Sequence, residues 1–405
     1  MRTRSIILLL SATLLSIGCS REPASDVDAE NSKKNTGVTL DRETRLGTTK
    51  FDTGKDGRFL LVTVHWDDEP LIFILDTGAQ MTCFDSSLKT RLGDPVRRVS
   101  LRTSAGLLDT EVFACPDATV GGLTLDGVET VLCTDLQPIR YAVGEDIRGI
   151  LGVDFLRRFI VTIDFDRGRV YLSEPSTSDA VAGKAWVPMH VDETGRPHLS
   201  ATVGGTENAT VLVDTGASGG TVNRDLYDVL VRKSKIATCD ANLGLTVGGS
   251  YRQSSGYLSE LQIGQFRLGS MKVARHFEDS IGLDWLSRFQ VSLDFPNRRI
   301  MLKKGNRFDE PFTRARCGMA VVVVDGRKIV VSVDLNSPAN AAGLLRGDEL
   351  VAIGSEQADE LDMFDVRKAL TAEVGKPVVV TIRRGTRTHS TTIRLADALS
   401  PKRVR

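Results

Sequence analysis

Three things are missing from this chain, and each absence removes a class of function. There is no excess of charge: 52 basic residues stand against 52 acidic ones over 405 positions, so no strong field points to nucleic acid or to an acidic partner. The apolar stretch Ser5–Gly18 is too short to span a bilayer. The cysteines show no CxxC spacing and no neighbouring histidine pair, which speaks against zinc and leaves no metal or cofactor to expect. What the chain does have is length, enough for two or three domains with their own cores.

The first residues read as an export signal. Met1-Arg2-Thr3-Arg4 is a basic start, and the apolar run after it ends in small residues, as secretory signals do. Leu15-Ser16-Ile17-Gly18-Cys19 resembles a bacterial lipobox, with Ser16 where that family prefers Leu. The resemblance implies lipidation at Cys19 and a protein anchored to the membrane at the cell envelope, facing the periplasm. Residues 1–19 are then a signal peptide, and the polar stretch 20–50 is a flexible tether. Five cysteines remain, Cys83, Cys115, Cys133, Cys239 and Cys317. An odd number in an exported chain leaves at least one thiol unpaired, and one disulfide among the first three stays open.

The sequence repeats itself. Phe73-Ile74-Leu75-Asp76-Thr77-Gly78-Ala79 returns as Val211-Leu212-Val213-Asp214-Thr215-Gly216-Ala217, 138 residues on. A longer echo pairs 150–172 with 280–302 at an offset of 130, matching Gly152 with Gly282, Asp154 with Asp284, and Phe159 with Phe289. The same two markers occur twice in the same order, with eight residues of insertion between them. Upstream of each aspartate the pattern is strand, turn, strand: 59–66, a DDEP turn and LIFILDTG, then 198–203, a GGTEN turn and ATVLVDTG. Each Asp-Thr-Gly loop therefore leaves the end of an apolar strand. Such a strand holds a carboxylate rigidly while the glycine turns its backbone N–H groups toward it.

The stretch VLVDTGASGGTVN can also be read around Ser218, as the GxSGG loop of a trypsin-like serine protease. That reading needs a histidine in a suitable loop upstream. The early candidate, His65, sits mid-strand and is better placed on an exposed face. It also leaves the first Asp-Thr-Gly copy, with Gln80 in place of the serine, unexplained. The two Asp-Thr-Gly-Ala loops, followed by Ile150-Leu151-Gly152 and Ser280-Ile281-Gly282, resemble the pepsin and retropepsin superfamily of aspartic proteases, nearest to bacterial retropepsin-like members. The resemblance implies a mainly β fold with two barrel-like lobes related by a pseudo-twofold axis, here 51–175 and 176–305. Asp76 and Asp214 would meet and share a proton, as dyads of this kind do, and activate a water for peptide hydrolysis. Thr77 and Thr215 would cross-link the loops, with Gly78 and Gly216 supporting the pair. Ala79 and Ala217 carry no hydroxyl to steady the charged form, so the dyad should titrate high. Flap hairpins are expected at Ser100–Leu107 and at Gly244–Gly249; the family's flap tyrosine is absent from the first.

Past a polar linker at 304–315 comes a third module. Ser337-Pro338-Ala339, Ala342-Gly343-Leu344 and Gly347-Asp348-Glu349-Leu350 resemble a PDZ domain, α+β in class, over 313–397, with a helix at Leu361–Thr371. PDZ domains add a peptide to a sheet edge and hold its carboxylate on backbone N–H groups, which implies Gly318, Met319 and Ala320 as contacts. The expected whole is an envelope aspartic endopeptidase acting on protein or peptide substrates, its PDZ domain recruiting substrate or partner C-termini. The rival is a peptide-binding envelope protein that keeps the protease scaffold without turnover. Two intact aspartates separate the first from the second, and from a purely structural β protein.

Overall fold

The computed structural model describes residues 59–174, 186–239, 242–312 and 315–397, with the backbone of Leu8–Leu9. Cys19 and the tether at 20–50 lie outside the described residues, as does the signal segment apart from those two positions.

The first unit is one twisted sheet. Its strands are β1 (Leu61–Trp66), β2 (Glu69–Leu75), β3 (Cys83–Asp85), β4 (Arg97–Thr103), β5 (Gly106–Ala114), β6 (Ala118–Val120), β7 (Leu123–Thr124), β8 (Thr130–Thr134) and, after helix α1 (Gln137–Val143), β9 (Ile147–Leu151). They lie in the order β4-β5-β8-β3-β9-β2-β1-β6-β7, with Leu8–Leu9 beside β4. On β1, Val62, Val64 and Trp66 are buried and His65 is exposed, as period-two alternation requires. The β1–β2 turn is tighter than expected: Asp67 and Asp68 take φ of 49° and 63°, and Glu69-Pro70 already belongs to β2. A two-residue turn with both φ positive matches the natural strand twist. A short helix, α2 (Val153–Leu156), follows β9. The hairpin β10 (Ile160–Asp164) and β11 (Arg169–Ser173) closes the unit.

The second unit runs through β12 (Trp186–Pro188), β13 (His190–Val191), β14 (Pro197–Val203), β15 (Thr206–Val213), β16 (Gly220–Asn223), helix α3 (Arg224–Arg232), β17 (Ile236–Thr238), the hairpin β18 (Asn242–Thr246) and β19 (Gly249–Gln253), β20 (Ser255–Leu258), β21 (Leu261–Ile263), β22 (Phe266–Leu268), β23 (Met271–His276) and β24 (Ser280–Ile281). It ends in helix α4 (Leu283–Leu286) and the hairpin β25 (Phe289–Asp294) and β26 (Arg299–Lys304). The expected GGTEN turn shrinks to Gly204-Gly205, with φ of 57° and 87°. In both units the strand leading to the aspartate pairs in parallel with the strand ending in the later glycine motif, Leu75 opposite Leu151 and Val213 opposite Ile281.

A third sheet belongs to both units, in the order β11-β10-β25-β26-β12. At its centre β10 runs antiparallel to β25, and Thr162 faces Ser292 with their hydroxyls 2.9 Å apart. These two residues are 130 apart, the offset of the sequence echo. The apolar core is continuous beneath this sheet, joining Phe155 and Val161 to Trp285 and Val291.

The five cysteines from Cys83 onward form no disulfide. Between the parallel strands β3 and β8, Cys83 stands opposite Leu132 and Cys133 opposite Phe84. That one-residue offset sends the two sulfurs to opposite faces, Cys83 into one apolar cluster and Cys133 into another, because side chains alternate along a strand.

The C-terminal module carries β27 (Ala315–Arg316), β28 (Met319–Val324), β29 (Arg327–Val333), helix α5 (Pro338–Ala341), β30 (Glu349–Ile353), β31 (Glu356–Gln357), helix α6 (Met363–Leu370), β32 (Pro377–Arg384), β33 (Arg387–Arg394) and β34 (Ala396–Asp397). Its main sheet runs β28-β29-β30-β32-β33, so β28 is an edge strand. The module has its own core, built on Val330, Val366, Val380 and Ile393. Helix α6 lies within the expected 361–371; its start is fixed by Asp362, whose side chain accepts from the Asp365 N–H at 2.9 Å.

Candidate active site

Asp76 and Asp214 are both buried, 0% and 1% exposed. Each leaves its strand at a point fixed by the backbone: Asp76 N–H donates to Leu151 O and Asp214 N–H to Ile281 O, both at 3.0 Å. The loops then fold back on the glycine motifs, where Val153 N–H donates to Ala79 O at 2.9 Å and Leu283 N–H to Ala217 O at 2.8 Å. This explains Gly152 and Gly282. A Cβ on Gly282 would lie 2.2 Å from Gly219 O, and one on Gly152 would lie 2.7 Å from the Met81 carbonyl carbon.

The two loops are bolted together symmetrically. Thr77 N–H donates to Thr215 Oγ1 at 3.0 Å, and Thr215 N–H donates to Thr77 Oγ1 at 3.1 Å. Each hydroxyl then donates onward, Thr77 to Val213 O and Thr215 to Leu75 O at 2.9 Å. The N–H and hydroxyl of both threonines are thus paired, as burial demands. Replacing Thr77 by Val, which keeps the shape, strands the Thr215 N–H and the Val213 carbonyl. We expect a loss of about 1–3 kcal/mol for each orphaned group, read by denaturant unfolding, and a fall in turnover greater than the stability loss explains. Thr77→Ser should restore both.

Within each loop the carboxylate is held by backbone. Asp76 Oδ1 accepts from Gly78 N–H at 2.7 Å and Ala79 N–H at 3.1 Å, and Asp214 Oδ1 accepts from Gly216 N–H at 3.0 Å. The other oxygen of Asp76, Oδ2, is buried without a hydrogen bond of ordinary geometry. It faces the second loop: a Cβ on Gly216 would fall 2.3 Å from it. Burial pushes the Asp76 carboxyl up to about 6, while the N–H of Gly78, the Asp214 carboxyl, the N–H of Ala79 and the charge of Arg196 pull it back. Desolvation is the largest influence on the Asp76 carboxyl.

The structure places Ser218 in the turn before β16, 2% exposed, with its carbonyl accepting from Asp284 N–H at 2.8 Å. Among the described residues no group of three or more His, Cys, Asp or Glu could hold a metal.

Hairpins stand where flaps were expected, β4–β5 and β18–β19; what sequence reasoning missed is how they are latched. The β4–β5 hairpin turns at Ser104-Ala105, and Ser104 Oγ lies 2.9 Å from His276 Nε2 on β23. The β18–β19 hairpin meets it: a Cβ on Gly248 would lie 2.5 Å from Thr103 Oγ1. Beside this latch a cavity of about 720 Å³ is lined by Arg102, His198, Asn223, Arg224, Phe277 and Glu278. Its wall is stiffened by Arg196, which donates to both oxygens of Glu278 at 3.0 Å and pairs with Asp192 at 3.0 Å. A lone histidine or arginine in a strand carries no local pattern, so nothing in the sequence singled these out.

The segment from which the third module's peptide contacts were expected, Gly318 to Ala320, opens β28. Gly318 has φ of 78°, a conformation in which glycine is favoured, and its carbonyl accepts from Asp334 N–H at 2.8 Å and Ser337 Oγ at 3.2 Å. Met319 is buried and Ala320 half-buried.

Residues 62–155 match the family model for aspartyl protease, and residues 315–395 match that for the PDZ domain. The chain thus carries an aspartyl protease domain and a C-terminal PDZ domain. It is similar to a photosystem II D1 C-terminal processing protease, 20% identical over 20% of this chain and 22% of that one, with a TM-score of 0.19. It is also similar to the PDZ domain of HtrA3 bound to a phage-derived ligand, 19% identical over 20% of this chain and 86% of that one, again at 0.19. The first match spans about a fifth of that protease. None of the curated proteins matches the chain.

Proposed function

We propose that this protein is an aspartic-type endopeptidase whose dyad, Asp76 and Asp214, comes from two duplicated, retropepsin-like lobes of one chain. The observation that carries the reading is the reciprocal threonine bridge, which sets two buried carboxylates side by side with Asp76 raised to about 6. With one proton shared across the pair, the ionised member takes a proton from a lodged water while the neutral member donates to the scissile carbonyl. The self-pairing of β10 with β25 about Thr162 and Ser292 supports the duplication.

The signal-like start and Cys19 support export and lipid anchoring at the envelope, facing the periplasm. There the PDZ module would engage the C-termini of substrates or partners. The test is to incubate the purified chain with a periplasmic protein extract and read new peptide termini by mass spectrometry. New internal termini are expected with the intact chain and not with Asp214→Asn. Identical termini in both samples, or none in either, would leave the scaffold-only reading standing.

A further inference from the structure

The edge strand β28 and helix α6 border the channel into which a PDZ domain takes a peptide, since added strands pair with a free sheet edge. In this protein a segment of the protease domain lies against that channel. Helix α1 of the protease domain packs against β28, and the turn after it reaches between strand and helix. A Cβ built on Gly144 would lie 2.8 Å from Met363 Cγ on α6 and 3.5 Å from Val323 Cγ2 on β28. Next to it, Arg367 Nη1 donates to Ala142 O at 3.4 Å, and the Arg367 guanidinium lies 6.0 Å from the ring of Phe59. Gly144 takes φ of 83°, ending α1 with its N–H on Arg140 O at 2.8 Å, so the absence of a side chain there permits both the turn and the close approach.

Toward the carboxylate end of the same channel the second unit presents a charge. Lys272 on β23 is half-buried, and desolvation pushes its ammonium down. Its charged neighbours include Asp284 and, from the PDZ side, Arg316 and Asp334, which flank the Gly318 loop.

We propose that the α1 turn at 142–144 is an intramolecular occupant of the PDZ channel, so that a peptide C-terminus can enter only by displacing it. The module is then a masked recruiter: α1 and a C-terminal peptide compete for the space between Val323 and Met363. Displacement would reach the catalytic region, because Ile139 and Val143 of α1 share an apolar cluster with Ala79, next to the dyad, and with Val247 at the tip of the β18–β19 hairpin. The inference rests on the proposed peptide-binding role of the module, but not on catalysis.

The geometry supplies a lock for the test. A Cβ on Gly144 would lie 3.4 Å from Met363 Cβ, close to the separation in a disulfide, so Gly144→Cys with Met363→Cys should cross-link the turn to α6. A library of peptides displayed with free C-terminal carboxylates is selected against the full chain, against Arg367→Ala and against the double-cysteine chain, reduced and oxidised. The best binder is then measured on each form by fluorescence anisotropy, with its C-terminal amide as control. Binding should tighten about tenfold in Arg367→Ala, weaken at least tenfold on oxidation, and recover with dithiothreitol. Equal affinity for the oxidised and reduced forms, once the cross-link is verified by mass spectrometry, would overturn the proposal, as would a library that enriches nothing on any form. Because the readout is binding, a chain that cleaves but takes no peptide fails here only, and one that binds but never cleaves fails only the proposed catalysis.

Discussion

Asp76→Asn and Asp214→Asn should each lower kcat on a peptide substrate by at least about a thousandfold, the range expected when a positioned acid or base is lost. An amide can neither share the dyad proton nor take one from water. The double variant should be scarcely worse than either single one, since the two carboxylates act as one unit and their losses do not add. Ser218→Ala should stay within about twofold of the native enzyme. Turnover per molecule should not change on dilution, because Thr77 and Thr215 already hold both loops together within one chain. Activity lost in Ser218→Ala but kept in Asp76→Asn would transfer the chemistry to the serine. Activity kept in both aspartate variants would mean that a contaminant did the cutting.

The same Asp76→Asn change should make the protein more stable at neutral pH. In the fold this carboxyl titrates at about 6, against 3.8 for the unperturbed group. Between those values the folded chain binds more protons than the unfolded one, so this residue's contribution to stability falls as pH rises from about 4 to about 6. The difference in pKa corresponds to about 3 kcal/mol. Asp76→Asn removes the titration. Its stability relative to the native chain should therefore be flat below pH 4, climb by about 3 kcal/mol through pH 6, and level off. Urea unfolding at a series of pH values reads this directly, and a difference that stays constant from pH 4 to pH 7 would reject the buried, raised carboxyl. The variant that destroys activity should be the sturdier protein.

The two Asp-Thr-Gly loops were legible in the sequence because their signal is local. An apolar strand, Asp-Thr-Gly and a later apolar pair with glycine are each short, and each recurs. The strands before the loops were legible for the same reason, as the alternation of Val62, Val64 and Trp66 shows. Turn lengths were overestimated because Glu69-Pro70 and Thr206–Asn208 are turn-like in type yet lie within strands. Cys83 and Cys133 left a disulfide open because spacing does not reveal which face of a sheet a residue occupies. The pairing of β10 with β25 was invisible because periodicity gives a strand but not its partner: the two echoes were read as copies and turn out also to be neighbours. The Ser104 to His276 latch and the seat of α1 in the PDZ channel depend on tertiary approach alone.

The sheet shared by both halves has a mechanical consequence. Below the carboxylates, strands from each half are interleaved around Thr162 and Ser292; between the carboxylates, the threonine pair ties the loops. Swinging the halves apart like jaws would break both seams at once, together with the continuous core beneath them. The foundation is fixed, so for the proposed protease we expect the entrance to be the roof, where two hairpins meet tip to tip around Thr103 and Gly248. A roof that parts only at its ridge admits a thread more readily than a lump. The polypeptides that reach Asp76 and Asp214 should therefore be those already frayed or unfolded, drawn in as single extended strands.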